Sequence, residues 1–435
     1  MSGTSIRPDE NRLQKAFRRA VLRLEDWLRT SSAPSIFHLA KFCWSTVSPA
    51  ALTRLDGLVA LAVALPRRGW RRRVVQHALA IARNNLAELK DPKSPVLVRH
   101  AIVLKPYVSK SEKGLVLVTF EGELLKIARS PDFERFALAY RVLFLPTWQP
   151  IFSTALFILG ARAVDTFWIL PSSSESLDDC DGFAPYARAL PFQSSSWVDD
   201  SRFSADRTSR RFDLLMVSNF AKYKRHWLLF QALRELPPSV SCIITGRPLG
   251  SRTVEVIRRE AAAFGVLNRI EILENPSDAT LERIFADAKL FCALSHKEGS
   301  FIAIAEALMA DTPVAIFANA IVGSKEYIHD ETGFLFDTGE RLSSQILAAL
   351  QICERKRPQA WARQNISARV NVERLNKLLE DEATRSHEQW TIDVEPFHCR
   401  HFDFFYYDPF AETRLAKCYT ELKERFGLDF RRAVV

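Results

Sequence analysis

Glycine is scarce in this chain, with 15 residues in 435. Phosphate-binding loops are usually rich in glycine, so a loop of that kind here must work with few. Long apolar runs are missing too. Gly57 to Leu65 is too short for a bilayer crossing, and Pro150 to Leu170 is broken by Arg162 and Asp165, where a span needs roughly 20 largely apolar residues. Arg7 to Arg29 is polar and charged, unlike the start of a secretory signal. The cysteines number seven, an odd count with no Cys-x-x-Cys pair, which argues against a disulfide framework and a zinc site. Cys242 and Cys292 sit inside apolar runs, as small core residues do. A reducing cytoplasm is the expected location. Low-complexity tracts and internal repeats are also lacking.

What is present is positive charge, unevenly placed. The formal net charge is +9, and residues 1–95 hold about 17 Lys and Arg against about 7 Asp and Glu. The remainder is close to neutral. A basic amino-terminal segment suits an anionic membrane surface, an acidic acceptor or nucleic acid. Arg67-Arg68-Gly69-Trp70-Arg71-Arg72-Arg73 is its densest cluster, readable as a phosphate or lipid contact or as a solvated helix face.

The length is too great for one compact core, so two domains are expected. Residues 1–95 read as a helical extension, with Leu13, Phe17, Val21, Leu22 and Leu24 on helical spacing. From 96 to 205 short apolar strands alternate with helices: His100 to Leu104, Leu115 to Phe120, Val142 to Leu145 and Phe167 to Leu170 are the strands. Such alternation implies a mostly parallel sheet covered on both faces. The polar, serine-rich passage Ser194 to Arg211 reads as the linker. The alternation restarts over 206–395, beginning with strand Asp213 to Val217 and helix Arg225 to Leu236, as a second doubly wound domain. Residues 396–435, with aromatic His401 to Tyr407 and a helix from Glu412 to Phe426, form a closing segment.

The richest stretch is Leu294 to Val314, LSHKEGSFIAIAEALMADTPV. A strand ends, a polar loop follows, and an apolar helix starts near Phe301. The first amides of a helix have no partners within it and favour an anion, so Gly299, Ser300, Phe301 and Ile302 could hold a phosphate. Glu298 and Glu306 flank this start within about 12 Å of helical rise. Each could accept two hydroxyl hydrogen bonds, one from a donor sugar and one from a ribose. The same pair also reads as solvated glutamates at a helix beginning.

The stretch resembles the Glu-x7-Glu signature of the glycosyl transferases group 1 family, retaining enzymes of the GT-B fold. Ala307, Pro313 and Val314 are similar to that family's following residues, as are Glu326 and Thr332-Gly333-Phe334-Leu335. Ala189 to Phe203 and Cys242 to Pro248, with Gly246, resemble two further family elements, and the likeness spans mainly residues 185–340. It implies an α/β GT-B architecture, two Rossmann-like domains facing a cleft, with the last helix returning to the first. It also implies a retaining transfer of sugar from a nucleoside diphosphate sugar to an acceptor hydroxyl, in glycan, polysaccharide or glycolipid synthesis. Lys224 falls on the family's lysine, whose charge would stabilise the departing nucleotide. Glu298 and Lys224 are the expected catalytic residues. Asn219, Lys224, Arg225, Gly246, Gly299, Ser300, Phe301, Ile302 and Glu306 are expected to bind the donor. Neither metal nor cofactor is implied. The partners are the nucleotide-sugar donor and a glycan or lipid-linked acceptor, with peripheral contact to the inner face of an anionic membrane.

The sequence departs from the family at several points. Asn219 stands where the family has arginine, and Arg225, Phe301 and Asp311 where it has glycine. The family's histidine at the first domain's cleft edge has no counterpart; Pro146-Thr147-Trp148-Gln149-Pro150 stands there, and Lys110 to Gly114 is the nearest thing to its glycine loop. Two rival readings follow: a GT-B binding or scaffold protein without turnover, and a nucleic-acid-binding protein using the basic segment. Asp179-Cys180-Asp181 resembles an Asp-x-Asp metal motif but has no transferase-like neighbours, and His226, His296 and His329 are scattered singly.

Overall fold

The structure, a computed structural model, describes residues 12–30, 33–65, 67–91, 95–148, 151–173, 177–203, 210–400 and 403–431. Gln149 and Pro150, residues 204–209 of the expected linker, and His401 and Phe402 lie outside these.

Four helices open the chain: α1 (Arg12–Thr30), α2 (Ala33–Thr46), α3 (Ala51–Ala64) and α4 (Arg68–Asn84). They divide their allegiance. Leu55 and Leu58 of α3 and Val75 and Leu79 of α4 join the core of the first α/β unit, where α4 packs on helix α5 (Thr154–Arg162). Helix α1 reaches the second unit instead, with Leu22 in that unit's core.

The first unit holds five strands in spatial order β1-β2-β3-β4-β5: Ala101–Lys105, Gly114–Thr119, Tyr140–Leu145, Phe167–Ile169 and Ala187–Ala189. All its pairings are parallel except β1 with β2. The connection from Pro106 to Lys113 is too short for a crossover, which needs a dozen or more residues. Strand β1 therefore turns back. Lys110 to Gly114 lies in this hairpin, at the end of β2 opposite its carboxyl terminus, so it does not face a ligand site at the strands' carboxyl ends.

The second unit is parallel throughout, with strands β6 (Phe212–Val217), β7 (Cys242–Gly246), β8 (Ile270–Glu274), β9 (Ala288–Ala293), β10 (Val314–Phe317) and β11 (Gly333–Phe336). The spatial order is β11-β10-β9-β6-β7-β8. The chain winds outward from β6 in one direction and from β9 in the other. This is the doubly wound order, whose ligand crevice lies where the two directions diverge, at the carboxyl ends of β6 and β9. The loops there are Ser218 to Arg225 and Leu294 to Phe301. Helix α6 (His226–Glu235) follows the first loop and α7 (Ile302–Met309) the second.

The return to the first unit starts earlier than residue 396. Ala368, Val372, Leu375 and Leu379 of helix α8 (Ala368–Arg385) already belong to the first core, being spaced to share one helix face. Helix α9 (Ala411–Phe426) completes it, with Phe426 edge-on to Phe136 and Tyr140. Leu428–Phe430 then pairs with Val96–Val98.

The serine-rich passage is not a solvated linker over its first part. Ser194, Ser195, Ser196, Trp197 and Val198 are buried. Their hydroxyls find protein partners: Ser195 and Ser196 meet the Tyr327 hydroxyl at 2.8 and 2.9 Å, and Ser194 meets Ser300. Polar composition signals exposure only when the hydroxyls have no protein partner. Among the described residues, no helix is long and apolar enough to cross a membrane.

Candidate active site

The divergence of strand order brings Lys224 and Glu298 together. Lys224 ends the one-turn 3-10 helix Lys222–Lys224 after β6; Glu298 ends the short strand Lys297–Glu298 after β9. Residues 74 apart in sequence thus meet, with Lys224 Nζ 2.5 Å from Glu298 Oε2, both side chains buried. The ammonium also sits 3.8 Å from the centre of the Phe301 ring, a favourable place for a cation. Glu298 Oε1 is buried with no hydrogen-bond partner. A buried, unmatched acceptor is costly unless something donates to it, and a sugar hydroxyl has the right chemistry. Burial pulls the Lys224 pKa below its ordinary value, while Glu298 pushes it back up.

The other expected donor-binding groups are placed differently. Asn219 accepts from the Ala221 amide at 3.2 Å and donates toward the Tyr223 hydroxyl at 3.4 Å. It shapes its own loop and brings no charge. Arg225, in the left-handed region at φ 61°, caps α6, and its guanidinium lies 2.8 Å from Asp26 of α1. Lys222 is likewise paired with Glu25 of α1 at 2.6 Å. Two of the three cations in this loop are therefore turned onto the amino-terminal helix. No sequence pattern announced that contact, because Glu25 and Asp26 are ordinary acids on an otherwise basic helix.

Gly246, at the end of β7, earns its place by close approach. A Cβ there would collide with the Ser218 carbonyl in the loop after β6. Glu306 is buried one turn into α7, where Arg202 stands 3.6 Å away and is itself held by Glu282 at 2.7 Å. A ribose reaching Glu306 would have to share it with Arg202.

The start of α7 is not an open niche. Ile302 belongs to the first unit's core, Ser300 meets Ser194, and Gly299 lies so close to Thr147 that a Cβ would strike its carbonyl. Gly323, whose amide donates to the Gly299 carbonyl at 2.9 Å, is pressed against the Ser172 carbonyl in the same way. Trp148 crosses to the other unit, half-exposed and edge-on to Tyr223 at 6.1 Å. Asp179 accepts from Arg71 at 3.2 Å.

His226, on the first turn of α6, is fully enclosed with Nε2 3.2 Å from the Ser218 hydroxyl. Burial first, then the Arg252 and Lys224 charges, hold its pKa down at about 3. An unfolded histidine titrates near 6.5. Between those values the unfolded chain binds a proton that the folded chain refuses, so stability falls as pH drops through that window. Urea unfolding from pH 7 to 4.5 is expected to show this loss, with a slope of up to about 1.4 kcal/mol per pH unit from this residue. His226→Gln should flatten the dependence by that amount; an unchanged slope would mean that His226 takes up its proton in the folded state.

Two sheet-based units, a crevice at the strand-order divergence and a closing helix that returns to the first unit define a GT-B protein. Residues 198–367, within the second unit and the start of the return, match the model of the glycosyl transferases group 1 family. The resemblance read from the sequence holds there. A GDP-mannose:cellobiosyl-diphosphopolyprenol alpha-mannosyltransferase of Komagataeibacter xylinus is 32% identical over 140 residues, 31% of this chain and 35% of that protein. The chain thus matches about a third of that relative's length. Among solved structures, Anabaena HepE in complex with UDP aligns with a TM-score of 0.50 at 16% identity, covering 71% of this chain and 82% of that one. Sucrose-phosphate synthase from Thermosynechococcus elongatus aligns at 0.49 and 15% identity, covering 62% and 74%.

Proposed function

We propose that the protein transfers a sugar from a nucleoside diphosphate sugar to an acceptor hydroxyl with retention of anomeric configuration. The observation that carries this is the buried Lys224–Glu298 pair at the divergence of strand order, with one carboxylate oxygen unmatched. As the bond between the anomeric carbon and the diphosphate breaks, its electron pair goes to the diphosphate oxygen. Lys224 would stabilise the charge that develops there, with the positive end of α7 adding to its field. Glu298 would accept a hydroxyl of the donor hexose and Glu306 a ribose hydroxyl. A fixed cation and a helix start supply positive field without a metal. The K. xylinus relative is named for a GDP-mannose donor and a lipid-linked acceptor, which supports a glycan or lipid-linked acceptor here, met in the cytoplasm.

The second reading, a GT-B protein that binds without turnover, is favoured by Asn219 and by the engagement of Lys222 and Arg225 with α1. Calorimetry against UDP- and GDP-sugars, paired with a donor-hydrolysis assay, separates the two. Binding with turnover is expected. Binding without turnover gives the second reading, and binding unaffected by Glu306→Ala removes Glu306 from the nucleotide site.

A further inference from the structure

Helix α1 is turned inside out relative to an ordinary surface helix. Four of its charged residues engage the protein: Arg19 donates to the Ala263 carbonyl, Arg23 to Gln231, Glu25 pairs with Lys222 and Asp26 with Arg225. Four of its apolar residues face outward, while Leu22 lies in the second unit's core. Leu13, Phe17, Leu24 and Trp27 recur at helical spacing and are exposed, Phe17 at 72% and Trp27 at 62%. A surface helix normally buries such a stripe.

Helix α2 packs beside α1 and continues the pattern with exposed Ile36, Phe37 and Trp44, Trp44 at 82%, and Val47 just after it is exposed too. Apolar surface of this extent on a protein calls for a partner. The surrounding charge says which kind. Residues 12–47 contain seven Lys and Arg and only two acids, Glu25 and Asp26, both engaged by the second unit. Arg12 and Lys41 are exposed beside the stripe, as are Arg67, preceding α4, and Arg72 and Arg73 on it.

We infer that the outward face of α1 and α2 docks on an anionic lipid bilayer. Phe and Trp side chains would sit at the headgroup boundary, with the cations among the lipid phosphates. A second copy of this chain is the poorer occupant, because it would oppose two faces of the same sign. This locates membrane contact on an apolar stripe rather than on the Arg67 to Arg73 cluster. It rests on the proposed function only for the reason a membrane is met; vesicle binding uses no donor, so the two ideas fail separately.

The test is co-sedimentation of the full chain with vesicles of phosphatidylcholine alone or with a third phosphatidylglycerol, beside the F17S/W27S/W44S variant. All three positions are exposed, so the variant should fold and keep its donor hydrolysis. The natural protein is expected to sediment with the anionic vesicles and not the neutral ones, and the variant to bind at least tenfold more weakly. Three results would overturn the inference: no binding to either vesicle, variant binding equal to that of the natural protein, or a light-scattering dimer that the substitutions dissolve while vesicle binding persists.

Discussion

Lys224→Met is expected to lower donor turnover about 10²–10³-fold, the loss found when one stabiliser of a developing oxyanion is removed. The side chain keeps its length and apolar body, so the Phe301 contact survives while the charge goes. A stability effect comes with it, because Glu298 is left buried without its partner. Breaking a buried pair from one side costs about 3–5 kcal/mol. The double variant Lys224→Met, Glu298→Gln separates the two effects. Its unfolding midpoint should recover most of the loss, since an amide is far cheaper to bury than a lone carboxylate, while turnover stays low. Kinetics and urea unfolding on both variants check this. Turnover restored together with stability would mean that the pair is structural, and the leaving group is stabilised elsewhere.

Freeing the two cations from α1 should act in the opposite direction. In Glu25→Gln, Asp26→Asn, Lys222 and Arg225 lose the carboxylates that now neutralise them. A nucleoside diphosphate then no longer competes with the protein's own acids. We expect its Kd to fall about tenfold at low ionic strength, equivalent to about 1.4 kcal/mol. Most of this should come from Arg225 and Asp26, whose side chains are more enclosed than those of Lys222 and Glu25. The gain should shrink as salt rises. Titration calorimetry with UDP and GDP across salt concentrations is the measurement. Equal Kd values in both proteins would place the diphosphate away from Arg225 and Lys222.

Much of the second unit was legible because local signals agree there. Strand β9, the polar loop and apolar helix α7 occupy the stretch that carries Glu298 and Glu306, and helix α7 begins at Ile302, one residue beyond the expected start. Strand order brings the loops carrying Glu298 and Lys224 to one crevice, and the turn Lys222–Lys224 and strand Lys297–Glu298 aim the two side chains at each other. The unreadable parts depend on distant partners. Ser195 and Ser196 look like linker until Tyr327, more than 130 residues on, takes their hydroxyls. Arg225 looks like a phosphate ligand until Asp26, 199 residues before it, claims the guanidinium. The turn-back of β1 could have been read from the short connection that follows it. The early return at Ala368 was written in a stripe of Ala368, Val372, Leu375 and Leu379, whose helical spacing marks a buried face without naming the surface it covers.

The contact between the units at Gly299 and Gly323 carries a consequence for the reaction cycle. Two bare backbones form a seam against Thr147 and Ser172 that leaves no room for a side chain. For the proposed transfer, a join this tight would favour nucleotide entry and exit by separation of the halves rather than along the seam. Such an opening would belong to the microsecond-to-millisecond class of domain motions. One added methyl at either glycine would prop the halves open, hastening product escape while leaving the sugar less well shielded from water.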